Sequence, residues 1–228
     1  MTIITLENID FKPDYPALMA RLRVREGSSH YIDLKVLIDE AIKIAKPKAL
    51  YRIGYIDSTS DHEVIIDGFT FTSRILRVNL DNTHRVFGYM ATCGTEIHAW
   101  SRSMPDLLRQ FWSEAIAEMA LTNAFEALDL ELRERYGLTD SSDMNPGSLE
   151  DWPLQEQKVM FAFLGNPREA IGVELTESML MIPTKSVTGI RFPTEESFAS
   201  CQLCPREICP NRRLPYDSTL YERKYNSK

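Results

Sequence analysis

The sequence predicts an α+β fold, a twisted antiparallel sheet flanked by long helices. Three observations predict it. The stretch 49–93 is rich in β-branched and aromatic residues and is interrupted by turn-prone runs at 57–61 and 81–84. Apolar residues at helical spacing flank that block, with Leu34, Leu37, Ile38, Ala41, Ile42 and Ala45 before it and a longer series after it. Two further strand-like pieces, 171–175 and 186–192, follow the last helix, so the order is helix, strand block, two helices, strands.

The opening residues read as irregular apart from a short helix over 16–22. Asp33 can cap the helix that carries Leu34 to Ala45, and Pro47 closes it. Within the strand block, 51–56, Glu63–Ile66, 69–80 and 85–93 read as the strands of a meander. Ser103-x-x-Asp106 has the form of a capping box, with Pro105 in the first turn of the longest helix. The apolar face of that helix runs from Leu107, Leu108 and Phe111 through Trp112, Ile116 and Ala120 to Phe125 and Leu128, and Gly137 stops it. After a polar loop at 139–148, a shorter helix over 152–164 ends at Gly165. Residues 1–228 read as one domain, with a cysteine-containing loop at 201–213 and a polar tail at 216–228.

Composition excludes several classes. The net charge is -7 and the isoelectric point near 5.2, whereas a duplex-binding protein normally carries a basic face, so no nucleic acid partner is expected. No run of about 18 apolar residues offers a membrane span. The start, MTIITLENID, has no basic leader, and the expected location is cytoplasmic. No paired histidines, glycine-rich phosphate loop or G-x-S-x-G elbow appears, which disfavours a zinc hydrolase or a serine hydrolase. Cys93-Gly94 reads as a strand-end turn rather than a nucleophile.

Three segments remain, 145–154, 175–189 and 201–213. The second reads Leu-Thr-Glu-Ser-Met-Leu-Met-Ile-Pro-Thr-Lys-Ser-Val-Thr-Gly. This LTES-x-x-M-x-P-x-x-SVxG pattern resembles the signature of the activation domain of cobalamin-dependent methionine synthase, with Thr188 where serine is usual. Pro146-Gly147 followed by Asp151-Trp152-Pro153-Leu154 resembles the Pro-Gly loop and following helix start of the same family, particularly its single-domain members. The resemblance covers about a third of the chain, residues 144–213; the N-terminal half agrees only in the order of its elements.

What the resemblance implies is a module that binds S-adenosylmethionine and supports reductive remethylation of an inactive cob(II)alamin. The cobalamin would be supplied by a partner, either a corrinoid protein or a methionine synthase core lacking this domain, because no Asp-x-His-x-x-Gly corrinoid motif is present. A flavodoxin- or ferredoxin-type donor would supply the electron. The ligand-binding set implied is Pro146, Gly147, Glu177, Ser178, Lys185 and Phe198. Glu177 suits a sulfonium, since a carboxylate beside a cation lowers the cost of burying it. A plainer reading has Glu177 capping a turn or pairing with Lys185, and has Ser178 and Ser186 satisfying loop backbone. The chain departs from the family at two places. Asp143 stands where the longer enzymes carry a ligand-contacting arginine, and Ser148 where they carry tyrosine. Aspartate cannot form arginine's bidentate clamp on a carboxylate, which leaves Lys185 or Arg191 for that task.

The third segment holds three of the four cysteines, Cys201-x-x-Cys204-x4-Cys209. In a reducing compartment clustered thiols suggest metal or redox chemistry before disulfides. Cys201, Cys204 and Cys209 can reach one zinc or iron–sulfur centre, with Cys93, Asp217 or an external thiolate as a fourth ligand. Three free thiols in a surface loop is the plain alternative. Arg206, Arg212 and Arg213 would lower the thiol pKa values and make the loop basic, fit to dock an acidic partner. A metal-bearing adaptor, or a scaffold that kept the fold without the ligand, therefore stands beside the activation-module reading.

Overall fold

The computed structural model describes residues 2–194, 198–209 and 212–226. In chain order the strands are β1 (Ile3–Leu6), β2 (Lys48–Thr59), β3 (Glu63–Ile66), β4 (Phe69–Thr72), β5 (Arg85–Thr92), β6 (Ser141–Met144), β7 (Glu174–Leu175), β8 (Met181–Ile182) and β9 (Ser186–Pro193). The helices are α1 (Tyr15–Leu22), α2 (Ser29–Ile44), α3 (Arg74–Asn79), α4 (Thr95–Arg102), α5 (Leu107–Tyr136), α6 (Gln157–Phe163) and α7 (Pro167–Ile171).

The main sheet runs β4-β3-β2-β5-β9-β6, and β1 joins the first half of β2. Its strand pairings are antiparallel, so the predicted α+β class holds. β7 and β8 form a separate two-stranded hairpin. Both faces of the sheet are covered, and strand alternation divides the side chains between them. On one face Leu50, Val86, Met90, Ile190 and Met144 pack with Phe71, Trp152, Phe163 and Tyr225. On the other, Tyr51, Phe87, Tyr89 and Ala91 lie against Ala124, Leu128 and Leu132 of α5. A third cluster joins α1, α2 and α4 to the N-terminal half of α5, around Leu18, Leu34, Ile38, Ile97 and Trp112.

Several boundaries differ from the sequence reading, and local chemistry explains them. α2 starts four residues before Asp33, because the Ser28 side chain accepts the Tyr31 N–H and caps the helix first. The stretch 69–80 is not one strand. Ser73 accepts from Leu76 N–H, ending β4 and opening α3. Asp106 itself caps α5 through Arg109 N–H, and Ser103 instead closes α4, a helix the sequence reading left out. Leu107, Leu108 and Phe111 are exposed; burial of α5 begins at Trp112. Asn166 caps the short helix α7 over a segment read in part as strand, and Gly172 ends it. The tail expected to be polar contributes two core residues, Leu220 and Tyr225. Residues 195–197, 210–211 and 227–228, which fall in the predicted domain, loop and tail, lie outside the described residues.

Candidate functional site

The platform of the site is the edge pair β6–β9. Asp143 and Arg191 are direct cross-strand partners, and their side chains meet at 3.0 Å while almost fully buried. Opposite charges facing each other across an antiparallel pair stabilise that register. Arg191 also reaches Asp129 of α5 at 2.7 Å and stacks over Phe125, 4.9 Å from its ring centre. Arg213 approaches from the cysteine loop and donates to the other oxygen of Asp143 at 3.0 Å, while about half its side chain stays exposed. Burial works against the Arg213 charge, yet the Asp143 carboxylate overrides it and raises its pKa. Burial, followed by the Asp143 charge, likewise lifts the Tyr89 phenol, so that hydroxyl stays neutral in ordinary conditions.

Two of the three segments singled out in the sequence are joined here. Asn145 follows β6 and donates through Nδ2 to Thr188 O at 2.9 Å and to the Tyr89 hydroxyl at 2.7 Å. The Pro-Gly turn is thereby fastened to the Ser-Val-Thr-Gly strand. Gly189 permits this approach, since a Cβ there would stand 2.3 Å from the Met144 carbonyl oxygen. Gly147 has φ +84° and donates to Trp152 O at 2.7 Å, closing the loop so that Leu154 packs on the turn. Pro146 is buried and Gly147 exposed. Phe198 belongs to the same platform: its N–H donates to Ser142 Oγ at 2.8 Å, and its ring packs edge-on against Tyr225. It is buried, so it forms floor rather than an open face.

The Leu-Thr-Glu-Ser residues make the β7–β8 turn. Thr176 N–H donates to Leu180 O at 2.9 Å, its hydroxyl accepts from Leu180 N–H at 3.0 Å, and Met179 takes φ +66°. Glu177 and Ser178 are exposed at the tip. Ser178 Oγ lies 3.0 Å from Thr176 Oγ1, and among the described residues no ion pair holds Glu177. The suggested Glu177–Lys185 pair does not form. Lys185 binds Glu114 at 3.2 Å and Glu118 at 3.8 Å, tying the start of β9 to α5. Ser186 and Thr188 are structural, donating to Pro183 O and Tyr89 O at 2.7 Å each. Arg191, the other cation suggested for a ligand carboxylate, is taken up by Asp129 and Asp143. No hydrogen bond or ion pair among the described residues joins Glu177 or Ser178 to Pro146, Gly147, Lys185 or Phe198.

Cys201, Cys204 and Cys209 lie on the loop that carries Arg212 and Arg213. Among the described residues no group of three His, Cys, Asp or Glu side chains is gathered as a ligand set. The Arg212 guanidinium donates to the carbonyls of Cys201 at 2.9 Å and Cys204 at 3.3 Å and also to Arg206 O, so a fixed cation organises the turn. The three thiols are free and half-buried, and Cys93 is fully buried, its pKa pushed up to about 12 by desolvation.

Asp129 is not marked in the sequence, and Asn145 is marked only as the first residue of the 145–154 segment. Asn145 had a signal, a turn-forming residue directly before Pro146-Gly147. Asp129 had none, being one carboxylate of many on a long helix. Two clefts lie beside the platform. One of about 400 Å³ is lined by Leu149, Asp151, Leu203, Tyr216 and Tyr221, between the loop after Gly147 and the cysteine loop. Another of about 910 Å³ lies between Asn79–Thr83 and Leu138–Asp140. No helix among the described residues is long and apolar enough to cross a membrane.

No family's sequence profile matches the chain, and no curated protein matches it by sequence. The fold, however, is shared with a solved structure. The crystal structure of the MetH reactivation domain bound to AdoHcy superposes with a TM-score of 0.61 at 16% sequence identity. The superposition covers 88% of this chain and 81% of that one. The likeness is one of fold.

Proposed function

We propose that this chain is an S-adenosylmethionine-binding activation module, one that supports reductive remethylation of cob(II)alamin carried by a corrinoid protein or by a methionine synthase lacking such a domain. The observation that carries the reading is the fastening of the Pro146-Gly147 turn to the Thr188-Gly189 strand through Asn145. These are two separated pieces of the family-like pattern, and they meet on a fold shared with a domain bound to AdoHcy. AdoHcy is what S-adenosylmethionine becomes on losing its methyl group.

In this reading the chain contributes position. The exposed Gly147 turn allows close backbone approach by a ligand, and Phe198 is tied to β6, the strand that precedes this turn. Glu177, exposed and without an ion pair among the described residues, is the carboxylate we assign to the sulfonium. Arg213 is the cation we assign to the ligand's carboxylate. It is half exposed and anchored on Asp143, so the aspartate at the family's arginine position recruits an arginine from the cysteine loop. When bound, the sulfonium supplies an electrophilic methyl group, and the protein holds it in line and excludes water. The electron would come from a flavodoxin- or ferredoxin-type donor.

Titration calorimetry of the full chain with S-adenosylmethionine tests the first half of the proposal. Binding that is lost in Arg213→Ala supports it. The second half is tested with a corrinoid protein in the cob(II) state, a reductant and S-adenosylmethionine, where the spectrum of the methylated corrinoid should appear only when this chain is added. Absence of ligand binding in the wild type, with no effect on the corrinoid spectrum, would overturn both halves. That outcome would favour a scaffold that kept the fold, a reading to which the engagement of Asp143 by two arginines lends support.

A further inference from the structure

We propose that Cys201 and Cys204 are a reversible dithiol–disulfide pair, a covalent modification site on the loop that delivers Arg213. The geometry begins with the backbone. Ser200–Gln202 forms one turn of 3-10 helix, and Leu203 N–H donates to Ser200 O at 3.1 Å while Cys204 N–H donates to Cys201 O at 3.3 Å. In such a turn the side chains of residues i and i+3 stand on the same side. A turn closed by an i to i+3 hydrogen bond also keeps its end Cα atoms within about 7 Å, the span a disulfide bridges.

The surroundings suit thiol–disulfide exchange. Both thiols are half-buried and hence reachable by a small disulfide, whereas Cys93 is sealed in the core. Arg213 N–H donates to Cys201 Sγ at 3.4 Å. Burial pulls the Cys201 thiol upward, but hydrogen bonds from the Arg213 and Leu214 backbone and the Arg213 charge bring it below the ordinary cysteine value. Cys201 is therefore the attacking sulfur. Arg212, bonded to the carbonyls of both cysteines, holds the turn in place during exchange.

The oxidant is a low-molecular-weight disulfide such as glutathione disulfide. The Cys201 thiolate attacks one of its sulfurs, forming a mixed disulfide and releasing one thiolate. Cys204, deprotonated, then attacks Cys201 Sγ and releases the second. Two cysteine thiols and one disulfide become one protein disulfide and two small thiols, with both electrons passed to the oxidant. Arg213 binds Cys201 Sγ through its backbone and Asp143 through its guanidinium, so loss of the thiolate acceptor loosens the residue that clamps Asp143.

The test uses the full chain, reduced, then equilibrated with glutathione disulfide and quenched by alkylation. Two of the four thiols should disappear, peptide mapping should join Cys201 to Cys204, and a dithiol should restore both. Before oxidation Cys201 should alkylate roughly tenfold faster than Cys209 near pH 7. Cys204→Ser should trap glutathione on Cys201, and Cys209→Ser should leave the pair intact. Cys93 remaining unlabelled reports that each variant is folded. Tryptic cleavage after Arg213 should accelerate several-fold in the oxidised protein, and an unchanged rate overturns the link to Asp143. A bridge to Cys209, a Cys204→Ser variant that accumulates no mixed disulfide, or thiols protected by stoichiometric zinc until a chelator is added would overturn the site itself. None of these readouts depends on S-adenosylmethionine binding, so this inference can fail or stand apart from the proposed function.

Discussion

The β6–β9 edge and the β7–β8 hairpin both carry family-like residues, yet they treat charge in opposite ways. On the edge, Asp143 and Arg191 are buried and saturated, with Asp129 and Arg213 completing an alternating chain of four charges. On the hairpin, Glu177 is exposed and none of the described cations pairs with it. Saturated buried charge specifies structure, because removing one member strands the other in a low-dielectric interior. Unpaired exposed charge contributes little to stability and is left over for an encounter. The same signature thus contains both a buried charge network and an exposed, unpaired carboxylate.

The contrast can be broken most severely at the edge. Asp143→Ala leaves Arg191 buried with half its partners, and chemical denaturation should show about 3–5 kcal/mol of lost stability. Gly189→Ala comes next. Its methyl group would press on the Met144 carbonyl and the Asn145 amide, so the edge strand must shift, at about 1–3 kcal/mol in the same measurement. A smaller effect is expected in acid. The hydrogen bond from Arg21 depresses the Glu118 carboxyl against the opposing effect of burial, with Lys185 assisting. A carboxylate depressed in the folded state stabilises above its unfolded pKa. The contribution is lost as pH falls below the ordinary glutamate value of about 4.3. Thermal melts across that range should fall more steeply for the wild type than for Glu118→Gln, by under about 1 kcal/mol. Smallest in stability is Glu177→Gln on the hairpin, within about 0.5 kcal/mol. Its consequence should fall instead on S-adenosylmethionine affinity, on the order of tenfold by calorimetry, or about 1.4 kcal/mol.

The parts of the fold that were legible in the sequence are those governed by local chemistry. The strand Glu63–Ile66 has the same bounds in both readings, and Gly137 ends α5 in the left-handed conformation expected of a stop. Misreadings arose where a single cap outweighed composition. Ile75, Leu76 and Val78 look like strand residues, but Ser73 and the Asp151 carboxylate, which accepts from Ile75 N–H at 3.0 Å, turn the chain into a helix. Long-range partners were not legible at all. Nothing local marks Asp129 as the second anchor of Arg191, or Arg213 as the residue 70 positions away that meets Asp143. The site was readable as a set of segments, and its wiring was not. The cysteine loop shows the same limit, since its spacing does not reveal the Arg212 guanidinium bonded to the carbonyls of Cys201 and Cys204.

The two faces of the sheet draw on different lengths of chain. The buried members of the cluster under α5 end at Leu138, with Val187 of β9 packed against them, whereas the opposite cluster takes in Phe198, Leu220 and Tyr225. A polypeptide made from its N-terminus can therefore assemble most of one side before β9 arrives, while the other keeps an apolar opening until Phe198, Leu220 and Tyr225 are in place. Tyr225 then acts as a latch: its hydroxyl donates to Asn79 at 2.9 Å, and its carbonyl accepts from Arg74 of α3. Shortening the chain before Leu220 would leave that opening unsealed and its surroundings prone to self-association.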